Sequence, residues 1–69
     1  MEEFFLDGRD FIELNNLLKV TGLCGSGGQA KQVIADGMVN VNGVPETRKR
    51  CKIRAGQVVE FAGNSVVVK

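Results

Sequence analysis

The chain has 69 residues, which allows one domain and leaves little room for a catalytic cavity inside so small a core. An apolar share of 43% and a charged share of 25% are those of an ordinary globular chain and exclude a disordered one. The net charge of +1 conceals a polarity: residues 1–13 hold five acids and one base, a net −4, while residues 14–69 hold eight bases and three acids, a net +5.

No apolar stretch approaches the roughly 20 residues that span a bilayer. The start is acidic, with Glu2 and Glu3 and no positive leader before an apolar segment, so the expected location is the cytoplasm rather than a membrane or the secretory route. The two cysteines, Cys24 and Cys51, form no CxxC pair, and there is no histidine. A structural zinc site is thereby excluded, no cofactor is expected, and both thiols read as reduced, partly buried small side chains.

In chain order, Phe4, Phe5 and Leu6 read as a short strand inside an acidic N-terminal extension, residues 1–13, and the run stops at Asp7-Gly8. Phe11 and Ile12 lead into a helix whose face is Leu14, Leu17, Leu18 and Thr21, ended by Gly22. Ser26 is the expected N-cap of a second helix with Ala30, Val33 and Ile34 on one face, closed by Gly37. The period then changes to two at Val39 and Val41, and Asn42-Gly43 signals a hairpin turn. Gly56 marks another turn. Val58 to Phe61 and Ser65 to Val68 read as strands joined by Gly63-Asn64. The expected fold is α+β: two packed helices in a helix-turn-helix-like arrangement beside a small, mostly antiparallel β-sheet. Residues 1–69 form a single domain.

Two features carry candidate chemistry. Residues 48–54 are Arg-Lys-Arg-Cys-Lys-Ile-Arg, five cations in seven residues with no acid. If the segment is extended, Arg48, Arg50, Lys52 and Arg54 share one side, and Cys51, Ile53 and Ala55 share the other. Lys49 is then peripheral. The bland alternative is a solvated strand whose cations block edge pairing. The second feature is the start of the second helix. Ser26, Gly27 and Gly28 leave backbone N–H groups at its positive end, where a phosphate can approach closely, although Ser-Gly-Gly is also an ordinary loop and cap. Lys31 lies one turn further in, and Lys19 on the first helix can add charge. Asn42 can offer a base or 2′-hydroxyl contact, or act only as a turn residue.

From Leu14 to Phe61 these motifs resemble the small RNA-binding domain of the fourth ribosomal small-subunit protein, the S-four domain. The matching residues are Leu14, Leu17 and Leu18; Gly22-Leu23; Ser26 with Gln29-Ala30-Lys31; Gly37, Val39, Val41, Asn42 and Gly43; and Gly56. The Ser-Gly-Gly and the Glu-Thr-Arg-Lys-Arg stretch are similar to those of stand-alone bacterial members, the YbcJ type. The resemblance implies an alpha-L motif and an RNA surface formed by Ser26, Gly27, Gly28, Lys31, Arg48, Lys49, Arg50, Lys52 and Arg54. Many members carry Arg where this chain has Glu13 and Gly27, and Asp where it has Gln57. Charge is therefore expected to concentrate at 48–54.

The expected function is binding of structured RNA, of ribosomal or transfer-RNA character, through phosphate and shape contacts, by a monomer with a possible role in ribosome or RNA metabolism. With no Trp or Tyr and four Phe, three of them in the acidic segment, an aromatic stacking platform for single strands is not expected. The alternative is an adaptor that meets an acidic protein partner, with the acidic N-terminus folded over the basic face in the free chain. Catalysis is not expected, because no acid–base partner accompanies Ser26 or Cys24, and no small-molecule substrate is implied.

Overall fold

A computed structural model describes all 69 residues. The chain runs through β1 (Glu2–Phe4), β2 (Ile12–Glu13), α1 (Leu14–Val20), α2 (Gly27–Ala35), β3 (Val39–Val41), β4 (Val44–Pro45), β5 (Lys52–Ile53), β6 (Val58–Phe61) and β7 (Asn64–Val68). A five-stranded sheet has the order β1-β7-β6-β3-β4, and β2 and β5 form a separate two-stranded ribbon. All pairings are antiparallel except β1 with β7. The architecture is the expected α+β one.

The helices are short, so packing rather than propensity holds them. Leu14, Leu17 and Leu18 of α1 are fully buried, and Ala30, Val33 and Ile34 of α2 are also buried. Both triplets follow the i, i+3, i+4 spacing of one helical face. Val39, Val59, Phe61, Val66 and Val68 come from the sheet, and Ile12 and Ile53 from the ribbon. Together with Leu6 and Cys24 they make one core of 15 residues with no buried polar or charged residue. Burial pushes the Cys24 thiol pKa up, which suits an inert packing residue.

The ends of the helices are closed by different means. Ser26 Oγ accepts from Gln29 N–H at 3.1 Å, and Gln29 Oε1 accepts from Gly25 N–H at 2.7 Å, a reciprocal pair resembling a capping box. The Thr21 hydroxyl donates to Leu17 carbonyl at 2.7 Å, and Gly22 follows at φ +79°. Asn42 and Gly43 both have positive φ, 52° and 80°, as a two-residue hairpin turn of the primed type requires. Asn42 Oδ1 also accepts from Val58 N–H at 2.8 Å, so its side chain is committed to joining β3 to β6.

Three expectations are corrected. The first strand is Glu2–Phe4, earlier than Phe4 to Leu6, because β1 takes its register from β7; Leu6 is buried beyond its end. The last hairpin turns at Ala62-Gly63, since Phe61 pairs with Asn64 and Asn64 belongs to β7. Residues 48–54 are not one strand: Lys49 and Arg50 form a turn, and only Lys52–Ile53 is β structure.

The first six residues of the acidic segment bind the last strand, and only its end, residues 11–13, meets the basic segment. Residues 2–4 pair with β7, Leu6 N–H donates to Lys69 carbonyl at 2.8 Å, and the Glu3 carboxylate pairs with Lys69. Deleting residues 1–6 removes an edge strand and the buried Leu6 side chain. The expected result is a loss of about 2 kcal/mol or more, read as a lower urea midpoint by circular dichroism. An unchanged midpoint would show that β1 contributes nothing to stability.

Candidate nucleic-acid interface

The helix α1 has no side-chain N-cap: Glu13 stands at that position and makes no capping hydrogen bond. Its first N–H groups are satisfied across the chain instead. Leu14 N–H donates to Cys51 carbonyl at 2.9 Å, and Asn15 N–H donates to Lys49 carbonyl at 3.0 Å. The first bond continues the antiparallel β2–β5 register, in which Ile12 faces Ile53 and Glu13 faces Lys52, and the second steps off it by one residue where the chain turns. The basic segment is thus stitched by its own backbone to the start of α1.

Strand parity then sorts its side chains. Ile53 is fully buried and Cys51 packs against the core, while Lys52 and Arg54 are exposed. On this stretch the expected apolar and cationic sides are both present. Ala55 departs from the pattern, being exposed in the turn that leads to Gly56.

Arg48 is already paired with an acid. It forms a two-pronged pair with Glu46, Nε to Oε2 at 3.0 Å and NH2 to Oε1 at 3.1 Å, and its backbone N–H also donates to Oε2 at 3.0 Å. Glu46 N–H in turn donates to Val39 carbonyl at 2.9 Å, which ties this clamp to β3. Arg50 faces Glu13 more loosely, Nε to Oε2 at 3.5 Å, with 77% of its side chain exposed. An exposed pair of this kind is weak and gives way easily to a phosphate.

The turn at Lys49-Arg50 brings distant cations together. An open cleft is lined by Glu13 and Asn15 at the start of α1, Lys31 of α2, and Lys49 and Arg50. Lys49, peripheral by strand parity, lies in this cleft because the chain turns there. Arg50 also borders an adjoining recess with Arg48, Cys51 and Lys52, so the two surfaces are continuous. Asn15 Oδ1 is buried beside the three cations without a hydrogen-bond partner.

Ser26, Gly27 and Gly28 do not line the cleft. They sit at the start of α2, three to five residues before Lys31, or roughly 4–8 Å along the axis. No protein acceptor meets the N–H groups of Gly27 and Gly28, and a Cβ built on Gly27 would meet nothing within 4 Å. The backbone there is open to an anion, as the helix start requires. Lys19 stands in the last turn of α1, the end from which the chain leads to Ser26.

Sequence reasoning missed three contributors to this surface: Phe11, Asn15 and Glu46. Lys52 Nζ lies 5.0 Å from the centre of the Phe11 ring, and the Arg54 guanidinium carbon lies 5.7 Å from it. No local signal marks Phe11, because the register that joins it to Arg54 spans some forty residues of sequence.

The Arg48 side chain and backbone N–H hold the Glu46 carboxyl well below its ordinary 4.5, at about 2. A carboxyl lowered on folding stabilises the fold fully above about pH 4.5, and that contribution fades as the pH falls toward 2. A carboxyl-detected NMR titration is expected to place Glu46 near 2. Arg48→Ala should return it toward 4.5. A wild-type midpoint already near 4.5 would mean that the clamp does not form in solution.

Comparison with known proteins places this geometry. The model of the S4 domain matches residues 4–69. YbcJ of Escherichia coli (strain K12) is 56% identical over 68 residues, covering 99% of this chain and 97% of that protein. RlbA of Bacillus subtilis (strain 168), named for ribosome maturation, is 37% identical over 54 residues, 78% of this chain and 76% of that protein. The solution structure of Escherichia coli YbcJ, described as revealing an alpha-L motif involved in RNA-binding, superimposes with a TM-score of 0.76 over 99% of this chain and 86% of the other. By sequence along nearly its whole length and by fold, the chain belongs to the S4 domain family.

Proposed function

We propose that this protein binds structured RNA through phosphate and shape contacts, and that its main contacts are Lys31, Lys49, Arg50, Lys52 and Arg54. Membership of the S4 family and the alpha-L motif of the 56%-identical YbcJ support RNA binding as such. The observation that carries the finer reading is the cleft at the start of α1. It draws Lys31 from α2 and Lys49 and Arg50 from the turn, so that residues 18 or more apart in sequence face one opening. Lys52 and Arg54 extend the same surface along β5. Phosphates spaced along an RNA backbone suit such an array of point charges.

Ser26, Gly27 and Gly28 form the second part of the surface. They offer open backbone N–H groups at the start of α2 in place of a cationic side chain. Arg48 is secondary, because the Glu46 carboxylate already occupies its guanidinium. The surface is complete within one chain, which fits a monomer. Ribosomal RNA or an RNA of transfer-RNA shape is the proposed partner, in the bacterial cytoplasm, and the role is binding rather than catalysis. The ribosome-maturation name of the 37%-identical RlbA supports a place in ribosome or RNA metabolism. No helix of the chain is long and apolar enough to cross a membrane.

Binding of a ribosomal RNA hairpin at several salt concentrations tests this. Five phosphate contacts predict a slope of log K against log salt of about −3.5 to −4.5. Removing Lys52 or Lys49 as Ala should reduce that slope by nearly one contact. Glu13→Gln, which frees Arg50, should tighten binding by about two- to five-fold. Affinity that is indifferent to salt, or unaffected by Lys49→Ala and Lys52→Ala together in a folded protein, would contradict the assignment.

A further inference from the structure

The outer face of the β2–β5 ribbon carries an aromatic ring among the cations. Parity about the buried Ile12 puts Phe11 and Glu13 outside, and parity about the buried Ile53 does the same for Lys52 and Arg54. Extending the register by one step sets Phe11 opposite Arg54, with Lys52 on the diagonal. This is the arrangement in which cross-strand side chains meet. Both cations accordingly lie over the ring, at 5.0 and 5.7 Å.

The other phenylalanines are placed differently. Phe61 is in the core, Phe5 is exposed, and Phe4 has Arg9 over its ring in the N-terminal segment. Phe11 is the ring with cations of the basic segment over it. Phe11 is half-buried, and the two cations over its ring are exposed.

We propose that Phe11 is a stacking site for one unpaired nucleobase, with Lys52 and Arg54 taking the phosphates on either side of that nucleotide. The proposal rests on the RNA-binding reading and adds a ligand class to it: a structured RNA with a bulged, looped or terminal nucleotide next to its helix. In the free protein the two exposed cations cover the ring, an interaction weaker than the stacking of a base. An incoming base displaces them, and the displaced charges sit where the phosphates of the same nucleotide arrive. Stacking on a single ring is tolerant of base identity, because every base has a π-face. Shape recognition in the cleft and capture of one base at Phe11 then act on adjoining parts of a single RNA.

Two probes separate this from phosphate binding: a single-stranded oligoadenylate of eight nucleotides and a blunt RNA duplex of eight base pairs. Phe11→Leu is expected to weaken binding of the oligoadenylate about 5- to 100-fold, with the salt slope unchanged, and to leave the duplex within about two-fold. Phe11→Trp is the second variant, and it is informative because the chain has no Trp of its own. Its fluorescence should be quenched by the oligoadenylate and not by the duplex. The proposal is overturned if folded Phe11→Leu binds the oligoadenylate like wild type, or if it loses both probes equally, which would mean that Phe11 only positions the cations. A Trp signal indifferent to the oligoadenylate also overturns it. Wild type that binds the duplex but not the oligoadenylate overturns stacking alone, whereas binding of neither overturns the RNA-binding reading as well.

Discussion

The N–H groups of Leu14 and Asn15 begin a helix that has no side-chain cap, and the carbonyls of Cys51 and Lys49 satisfy them. Much of the surface depends on those two bonds. An uncapped seven-residue helix is marginal by itself, and its leucine face needs the rest of the core to hold it. The partner segment, for its part, has only two residues of true strand. Each completes the other. Because the bonds are made by backbone, the side chains of 51–54 are left to parity: Ile53 goes inward, and Lys52 and Arg54 go outward. The proposed RNA surface therefore arises from the same bonds that close the fold.

Charge on that surface is not simply the sum of its cations. Glu46 takes Arg48 in a two-pronged bond strong enough to hold its own carboxyl near 2. Glu13 takes Arg50 loosely at 3.5 Å. The first carboxylate acts as a structural clamp between β3 and the basic segment. The second is an exposed counter-charge, which the proposed binding mode has RNA replace. In the proposed site Glu13 tempers the charge of Arg50, and Gly27 and Gly28 offer backbone N–H groups rather than side-chain charge. Of the acidic N-terminal segment only Glu13 enters this balance, since β1 is bound to β7 and Glu3 to Lys69.

Local features were legible in the sequence. The leucine triplet, the Ser26 cap and the Asn42-Gly43 turn each depend on residues within four or five positions of one another, and each is found where spacing put it. The Ala62-Gly63 turn was not legible, because alanine at positive φ is uncommon and Gly63-Asn64 has the better turn chemistry. The basic run was half legible. Its parity holds from Cys51 to Arg54, where pairing with β2 extends the chain, and fails before that, where the chain turns at Lys49-Arg50. What no local pattern contains is the pairing of residues 12–13 with 52–53. That pairing brings Phe11 to Lys52 and Arg54, and the turn beside it brings Lys31 to Lys49.

The most direct measurement is amide chemical-shift mapping of the 15N-labelled protein on titration with a ribosomal RNA hairpin. Shifts are predicted at Gly27, Gly28, Lys31 and residues 49–54, the surface assembled at the start of α1 and α2. Shifts confined to the opposite side of the fold, around Met38, Asn40, Glu60 and Asn64, with residues 49–54 unmoved, would contradict it.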